Sequence, residues 1–83
     1  MDIERMRALG PFGFFVLEAL KRLEAQSHNG FITLGGRDIA RMIGLGNGTV
    51  YQELQKLERL GLLERVQRGR RIWYRLIPQQ RAA

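Results

Sequence analysis

The side chains best suited to chemistry in this 83-residue chain are arginines, and they are concentrated near its end. The formal net charge is +6, yet residues 1–62 contribute only one positive charge to it. Residues 63–83 carry six arginines against a single acid, Glu64. Because a guanidinium presents several N–H donors in one plane, it matches the oxygens of a phosphate. This distribution indicates a polyanionic partner. The alternative is a solvated basic tail, but the apolar residues between the arginines favour a strand.

A second set of polar residues lies on one side of the segment 47–60. Val50, Leu54 and Leu57 recur at helical spacing, which predicts a helix with this face buried. Glu53 and Glu58 fall on its flanks, so the opposite face carries no carboxylate. That face presents Gly48, Thr49, Gln52, Gln55, Lys56 and Arg59. Amides, basic groups and a threonine methyl can bond or touch base edges and phosphates, although an ordinary solvated helix face is the alternative.

Glycine and proline divide the chain into the elements that must position these residues. A helix is predicted from Gly10-Pro11 to the turn formers near Ser27. Its apolar stripe comprises Phe12, Val16, Ala19, Leu20 and Leu23. A short strand (31–34) and a helix (37–43) follow, the latter with Arg37 and Arg41 outward. The turn Gly44-Leu45-Gly46 then leads into the helix 47–60, with Leu45 filling the space between the two helices.

The last predicted element is a β-hairpin formed by residues 62–67 and 71–77. Arg68-Gly69-Arg70 forms its tip. Tyr74 is predicted to face the core together with Ile72 and Leu76, and Trp73 to face outward. We expect Trp73 to pack on an arginine stem or a helix, since base stacking, the alternative, suits single strands.

This order of elements is that of a winged helix-turn-helix domain. It runs helix, strand, helix, helix and two strands, and is mainly α with a small β-hairpin (α+β). The chain is interpreted as one domain, 1–83, with residues 1–9 as an N-terminal extension and 78–83 as a frayed tail. In such a domain the second helix of the pair enters the major groove of DNA.

The composition excludes most other function classes. There is no cysteine and only one histidine, His28, which leaves no predicted metal site or cofactor. No paired-carboxylate, Ser-His-Asp or Cys-His set is present, so the protein is predicted not to be an enzyme. The longest apolar run, Phe14 to Leu17, is far shorter than the roughly 18 residues of a membrane span. With no signal-peptide pattern at its start, the protein is expected to be cytoplasmic and associated with the nucleoid.

The segment Arg37-Asp38-Ile39-Ala40-Arg41-Met42-Ile43-Gly44-Leu45, followed by Gly48-Thr49-Val50-Tyr51 and residues 54–63, resembles PadR-like, MarR-like and ArsR-like transcription regulators. The start of the helix 47–60 looks most like PadR, and Trp73-Tyr74-Arg75-Leu76 looks like a second wing strand. The resemblance implies sequence-specific binding of double-stranded DNA, usually as a homodimer on an inverted repeat. The chain departs from the pattern by ending soon after the hairpin and by lacking metal-sensing cysteines. The predicted DNA-binding residues are Arg37, Arg41, Asn47, Gly48, Thr49, Tyr51, Gln52, Gln55, Lys56, Arg59, Arg68, Arg70 and Arg71.

Surplus apolar surface predicts a homodimer through the N-terminal region and the first helix. Phe14 lies nearly opposite the apolar stripe, and Ile3, Met6 and Leu9 add further apolar surface. The alternative is that residues 1–9 fold back over Phe14 within one chain. A different class of function, a winged helix acting as a protein-interaction module of a replication or transcription complex, would require an apolar or acidic face on the helix 47–60.

Overall fold

The computed structural model describes residues 3–78, with side chains from residue 7 onward. Three helices, α1 (Ile3–Ala25), α2 (Gly36–Ile43) and α3 (Asn47–Arg59), precede an antiparallel pair of strands, β1 (Leu63–Arg68) and β2 (Arg71–Leu76). This architecture confirms the predicted class, mainly α with a small β-hairpin. The tail predicted to fray lies outside the described residues from 79 onward.

The first helix, α1, consists of two helical segments that meet at a kink. Gly10 has φ 68° and ψ 175°, a conformation that glycine alone adopts at low cost. Pro11 begins the second segment, where its missing N–H needs no partner. The helix start predicted at Gly10-Pro11 therefore belongs to the second segment. Residues 3–9, predicted as an extension in front of the helix, are themselves helical, and Leu9 is fully buried.

The buried face of α1 differs from the predicted stripe at its first position. Val16 and Leu20 are buried, but Phe12 is 54% exposed. The reason is a close approach at Gly13, where an added Cβ would lie 3.0 Å from Glu53 Oε2 of α3. Because helical residues are separated by about 100° around the axis, placing Gly13 against α3 turns its predecessor toward solvent.

The helix-turn-helix is formed by α2, the turn 44–46 and α3, as predicted. Gly44 ends α2 with φ 75°, in the left-handed region that favours glycine. The N–H groups of Gly44 and Leu45 both donate to Ala40 O, at 2.9 and 3.1 Å. Leu45 packs against the core. Gly35 and Gly46 provide no side-chain cap for α2 and α3, so backbone bonds alone define these helix starts.

One hydrophobic core joins the three helices and the base of the hairpin. In α3, Val50, Leu54 and Leu57 are at most 2% exposed, which confirms the predicted inward face. The other buried apolar residues are Leu9, Val16, Leu17, Leu20, Ile32, Ile39, Ala40, Leu62, Leu63 and Tyr74.

The hairpin pairs β1 with β2 from Leu63↔Leu76 to Arg68↔Arg71. Its turn is therefore the two residues Gly69 and Arg70, rather than the three predicted. Gly69, the first turn residue, has φ 63°, whereas Arg70, the second, does not have a positive φ. This combination is that of a type II′ turn, whose twist matches the twist of an antiparallel strand pair.

The strand predicted at 31–34 is reduced to one bridge. Ile32 N–H donates to Tyr74 O at 2.7 Å, and Tyr74 N–H donates to Ile32 O at 2.9 Å. The segment leaves a turn at Gly30 (φ 77°) and reaches the start of α2 by Gly35, so only one residue lies alongside β2.

The two faces of β2 agree with the prediction except at one residue. Tyr74 is 5% exposed, and burial raises the pKa of its hydroxyl, which stays neutral at physiological pH. Leu76 also packs against the core. Ile72 was predicted to face the core but is 40% exposed, because it pairs with Gln67 near the projecting end of the hairpin.

A matched pair of substitutions tests the orientation of α3. We expect Leu54→Ala to lower the free energy of unfolding by about 2–5 kcal/mol, since it leaves a cavity in the core. Its exposed neighbour supplies the control, because Gln55→Ala should change stability by no more than about 0.5 kcal/mol. Thermal or urea unfolding measures both. Equal losses from the two variants would contradict this orientation of α3.

Candidate nucleic-acid interface

One side of α3 is open to solvent over its whole length. Gly48, Gln52, Gln55 and Arg59 follow one another at spacings of four, three and four residues and are all exposed. Asn47 and Tyr51 are exposed beside them, and Thr49 is half-buried. The structure thus brings these sequence-predicted residues together on one surface.

The acids of α3 are neutralised at the edges of this face. Glu53 Oε2 lies 2.7 Å from Lys56 Nζ, and the Glu53 side chain is only 13% exposed. Glu58 Oε1 lies 3.5 Å from Arg65 Nε of β1, which also ties the hairpin to the helix. Neither carboxylate therefore projects from the exposed face of α3, in agreement with the sequence pattern.

Among the predicted site residues of α3, Lys56 is the one that does not lie on this exposed side. Its Nζ donates to Leu9 O at 2.6 Å, and its side chain is 29% exposed. Leu9 immediately precedes the kink at Gly10, where the helix is interrupted. Its carbonyl therefore lacks the N–H donor that the next helical turn would normally provide. Lys56 satisfies that carbonyl and joins α3 to the first segment of α1.

The second helix of the motif contributes two arginines. Arg37 and Arg41 are exposed and lie four residues apart, on one side of α2. No ion pair engages either of them in the part of the chain that the structure describes. Tyr51 lies across the start of α2, where a Cβ on Gly36 would stand only 2.7 Å from its ring. The absence of a side chain at Gly36 is what allows Tyr51 to bridge α2 and α3.

Packing within the domain does not require a glycine at position 48. A Cβ at this position would meet no atom within 4 Å, and φ there is not positive. The first turn of α3 therefore presents bare backbone to solvent, with room for another molecule to approach it closely.

The β1–β2 hairpin, here called the wing, carries its free charge at the tip. Arg68 and Arg71 face each other across the strands, and Arg70 lies in the turn between them. All three are exposed. Arg65 and Arg75 are instead paired with carboxylates, Arg75 with Glu64. Like charges placed opposite one another are unfavourable, so an anion at the tip would relieve them.

Sequence reasoning missed the role of Phe31, which it treated only as part of a strand. Its ring centroid lies 5.5 Å from that of Trp73, and the guanidinium carbons of Arg68 and Arg75 lie 6.0 and 5.8 Å from it. The Arg68 carbon is also 5.9 Å from the Trp73 ring. Packing of Trp73 on an arginine was predicted and is confirmed. The bridge between Ile32 and Tyr74 places Phe31 beside the wing, and the sequence pattern, which predicted a strand here, gave no partner for it.

The described residues also lack two other kinds of feature. No group of three or more His, Cys, Asp or Glu side chains in residues 3–78 could hold a metal ion. Within the same residues, no helix has the length and hydrophobicity needed to cross a membrane.

A carboxylate-free helix face behind a tight turn, next to a basic hairpin, defines a winged helix-turn-helix DNA-binding domain. The model of the IclR helix-turn-helix domain matches residues 13–67, more than half of the chain. The chain belongs to this family, a class of transcription regulator domains that bind DNA and are typically not enzymes. The PadR-like subfamily suggested by the start of α3 is not confirmed. A search of curated proteins found no match.

Substitution of Lys56 is predicted to change the stability of the domain without changing the salt dependence of DNA binding. Lys56→Met should lower the free energy of unfolding by about 1–3 kcal/mol, because it removes a charged donor from a half-buried carbonyl. The salt dependence of DNA binding should stay unchanged, since this ammonium does not face the open side of α3. Chemical unfolding and a salt titration of binding measure the two effects. A slope that falls by about 0.9 would instead place Lys56 on a phosphate.

Proposed function

We propose that this domain binds double-stranded DNA sequence-specifically and serves a transcription regulator, with α3 in the major groove. The wing then contacts flanking phosphates or the minor groove. The observation that carries the proposal is the exposed, carboxylate-free side of α3 beside an arginine-tipped wing. The proposed DNA contacts are Arg37, Arg41, Asn47, Gly48, Thr49, Tyr51, Gln52, Gln55, Arg59, Arg68, Arg70 and Arg71.

The side chains on α3 suit base edges. Gln52 and Gln55 can each bond adenine through a donor and an acceptor, and Arg59 can bond guanine or a phosphate. Gly48 supports the approach of the helix start to the DNA backbone, where helix N–H groups favour anions. A surface built to bind another protein would carry more apolar or acidic groups on this helix.

Substitutions on α3 should change which sequences are bound. We expect Gln52→Ala or Arg59→Ala to reduce discrimination at one base position by about 1–3 kcal/mol. Selection of bound sites from a random duplex pool, repeated with each variant, measures the preference. Lys21→Ala removes one charge from the exposed side of α1 and serves as the control, with no change expected in the selected site. Identical selected sites for all the variants would mean that α3 reads no bases.

The basic groups around this surface set its dependence on salt. In α2, α3 and the wing, six exposed arginines have no carboxylate partner among the described residues: Arg37, Arg41, Arg59, Arg68, Arg70 and Arg71. If each neutralises one phosphate, the log–log slope of affinity against salt is about −5 per domain.

The wing tip should contribute affinity without sequence preference. Arg70→Ala combined with Arg71→Ala should weaken binding to specific and random duplexes alike and reduce the salt slope by about 1.8. Arg70→Lys with Arg71→Lys is the matched control, since it retains both charges and therefore most of the slope. Affinity measured over a range of salt concentrations tests this. A loss limited to the specific site would contradict phosphate contact by the tip.

The outer side of α1 supports a homodimer. Phe12, Phe14 and Phe15 are 54, 39 and 50% exposed, and Met42 of α2 is 60% exposed. Phe14, Phe15 and Met42 border a groove of about 670 Å³ between α1 and α2. An exposed apolar patch of this kind typically marks a protein contact. A second copy is the proposed occupant, because a two-fold dimer presents two α3 helices to an inverted repeat.

Sedimentation of the protein at micromolar concentration tests the dimer. The wild type should sediment as a species of twice the 9.6 kDa chain mass, and Phe15→Glu should sediment as the monomer. Ile72→Glu places the same charge on an exposed apolar residue of the wing and should remain dimeric. A wild type that sediments only at the chain mass would exclude the dimer while leaving the DNA contacts of one domain intact.

A further inference from the structure

The outward face of the wing carries a cluster of two aromatic rings and two arginines: Phe31, Trp73, Arg68 and Arg75. The rings are 5.5 Å apart and inclined at 54°. The Arg68 guanidinium carbon lies 6.0 Å from one ring centroid and 5.9 Å from the other. Arg68 is therefore within cation–π distance of both rings at once.

The two arginines of the cluster differ in their charge partners. Arg75 also lies over the Phe31 ring, at 5.8 Å, but its guanidinium is ion-paired with Glu64. No carboxylate pairs with Arg68 in the described part of the chain. A cation–π contact uses none of the guanidinium N–H groups as hydrogen-bond donors, so these groups stay open to a phosphate. Arg68 is thus held in place and still able to bind an anion.

The backbone fixes the ring that supports Arg68. Phe31 N–H donates to Asn29 Oδ1 at 3.1 Å, and the next residue forms the Ile32–Tyr74 bridge to β2. The loop between α1 and α2 therefore holds Phe31 against the wing. A long arginine side chain loses much conformational freedom when it binds, and an existing cation–π contact reduces that loss.

From this geometry we infer that Phe31 and Trp73 are positioning residues, which hold the Arg68 guanidinium ready for a DNA phosphate. The inference rests on the proposed function, because it gives the wing contact its mechanism. It assigns an indirect role in binding to the loop before α2.

A double-mutant cycle tests the coupling between Phe31 and Arg68. Arg68→Ala should reduce affinity and lower the salt slope by about 0.9, since one phosphate contact is lost. Phe31→Leu should reduce affinity about two- to fivefold with the slope unchanged, because the charge remains but its support is gone. Phe31→Leu in the Arg68→Ala background should have no further effect, and Phe31→Tyr should bind as the wild type does.

Two further measurements separate positioning from general stability. Arg68→Lys keeps the charge but loses the planar set of N–H donors, so it should keep the salt slope and bind more weakly, whereas a purely structural role of the cluster would leave binding unchanged. Trp73 is the only tryptophan in the chain, so its fluorescence reports on the cluster directly. DNA binding should change that emission in the wild type and much less in Arg68→Ala.

The outcomes distinguish this inference from the proposed function. If Phe31→Leu weakens binding equally with and without Arg68, the ring has only a structural role and the inference fails alone. An effect of Arg68→Ala without any effect of Phe31→Leu leads to the same conclusion. If Arg68→Ala changes neither affinity nor slope, the contact of Arg68 with DNA fails as well.

Discussion

The rotation of α3 about its own axis is the constraint on which the other features depend. Val50, Leu54 and Leu57 are almost fully buried, and each contributes about 1.5–3 kcal/mol of burial energy. A shift of one residue would turn the helix by about 100° and carry Gln55 and Glu58 toward the core. That cost exceeds what any exposed ion pair can return. Burial of the apolar face therefore determines that the polar residues of α3 point outward, and no contact made by those polar residues is needed.

Electrostatics then acts on a surface that the core has already defined. Three acids near the interface are each paired with a cation of the same domain: Glu53 with Lys56, Glu58 with Arg65 and Glu64 with Arg75. The two more exposed pairs, Glu58–Arg65 and Glu64–Arg75, each add about 0–1 kcal/mol to stability, so their main consequence is local. They neutralise negative charge around α3 and the wing and leave the unpaired arginines to set the field that a polyanion meets.

Features with local causes could be predicted from the sequence, whereas tertiary contacts could not. The α3 period, the turn at 44–46 and the hairpin follow from side-chain spacing and glycine, and all three were predicted. The exposure of Phe12 and the bond from Lys56 to Leu9 both depend on how closely α1 crosses α3 at Gly13. Residues distant in sequence create that contact, so it cannot be predicted from the side-chain periodicity of either helix. Ile72 shows a related limit, since alternation indicates its face of the strand but not how far the hairpin projects.

One helix, α1, connects the proposed dimer surface to α3. Gly13 lies against α3 in α1, and the next residues, Phe14 and Phe15, are exposed toward the groove. In the proposed dimer, the path from one α3 to the other crosses only the two α1 helices. Three helix-packing distances in series span about 24–30 Å, which is less than the roughly 34–36 Å between half-sites on one face of DNA. In the proposed dimer, the close approach of α1 to α3 at Gly13 and at the Lys56 bond therefore contributes to the separation of the two α3 helices without accounting for all of it.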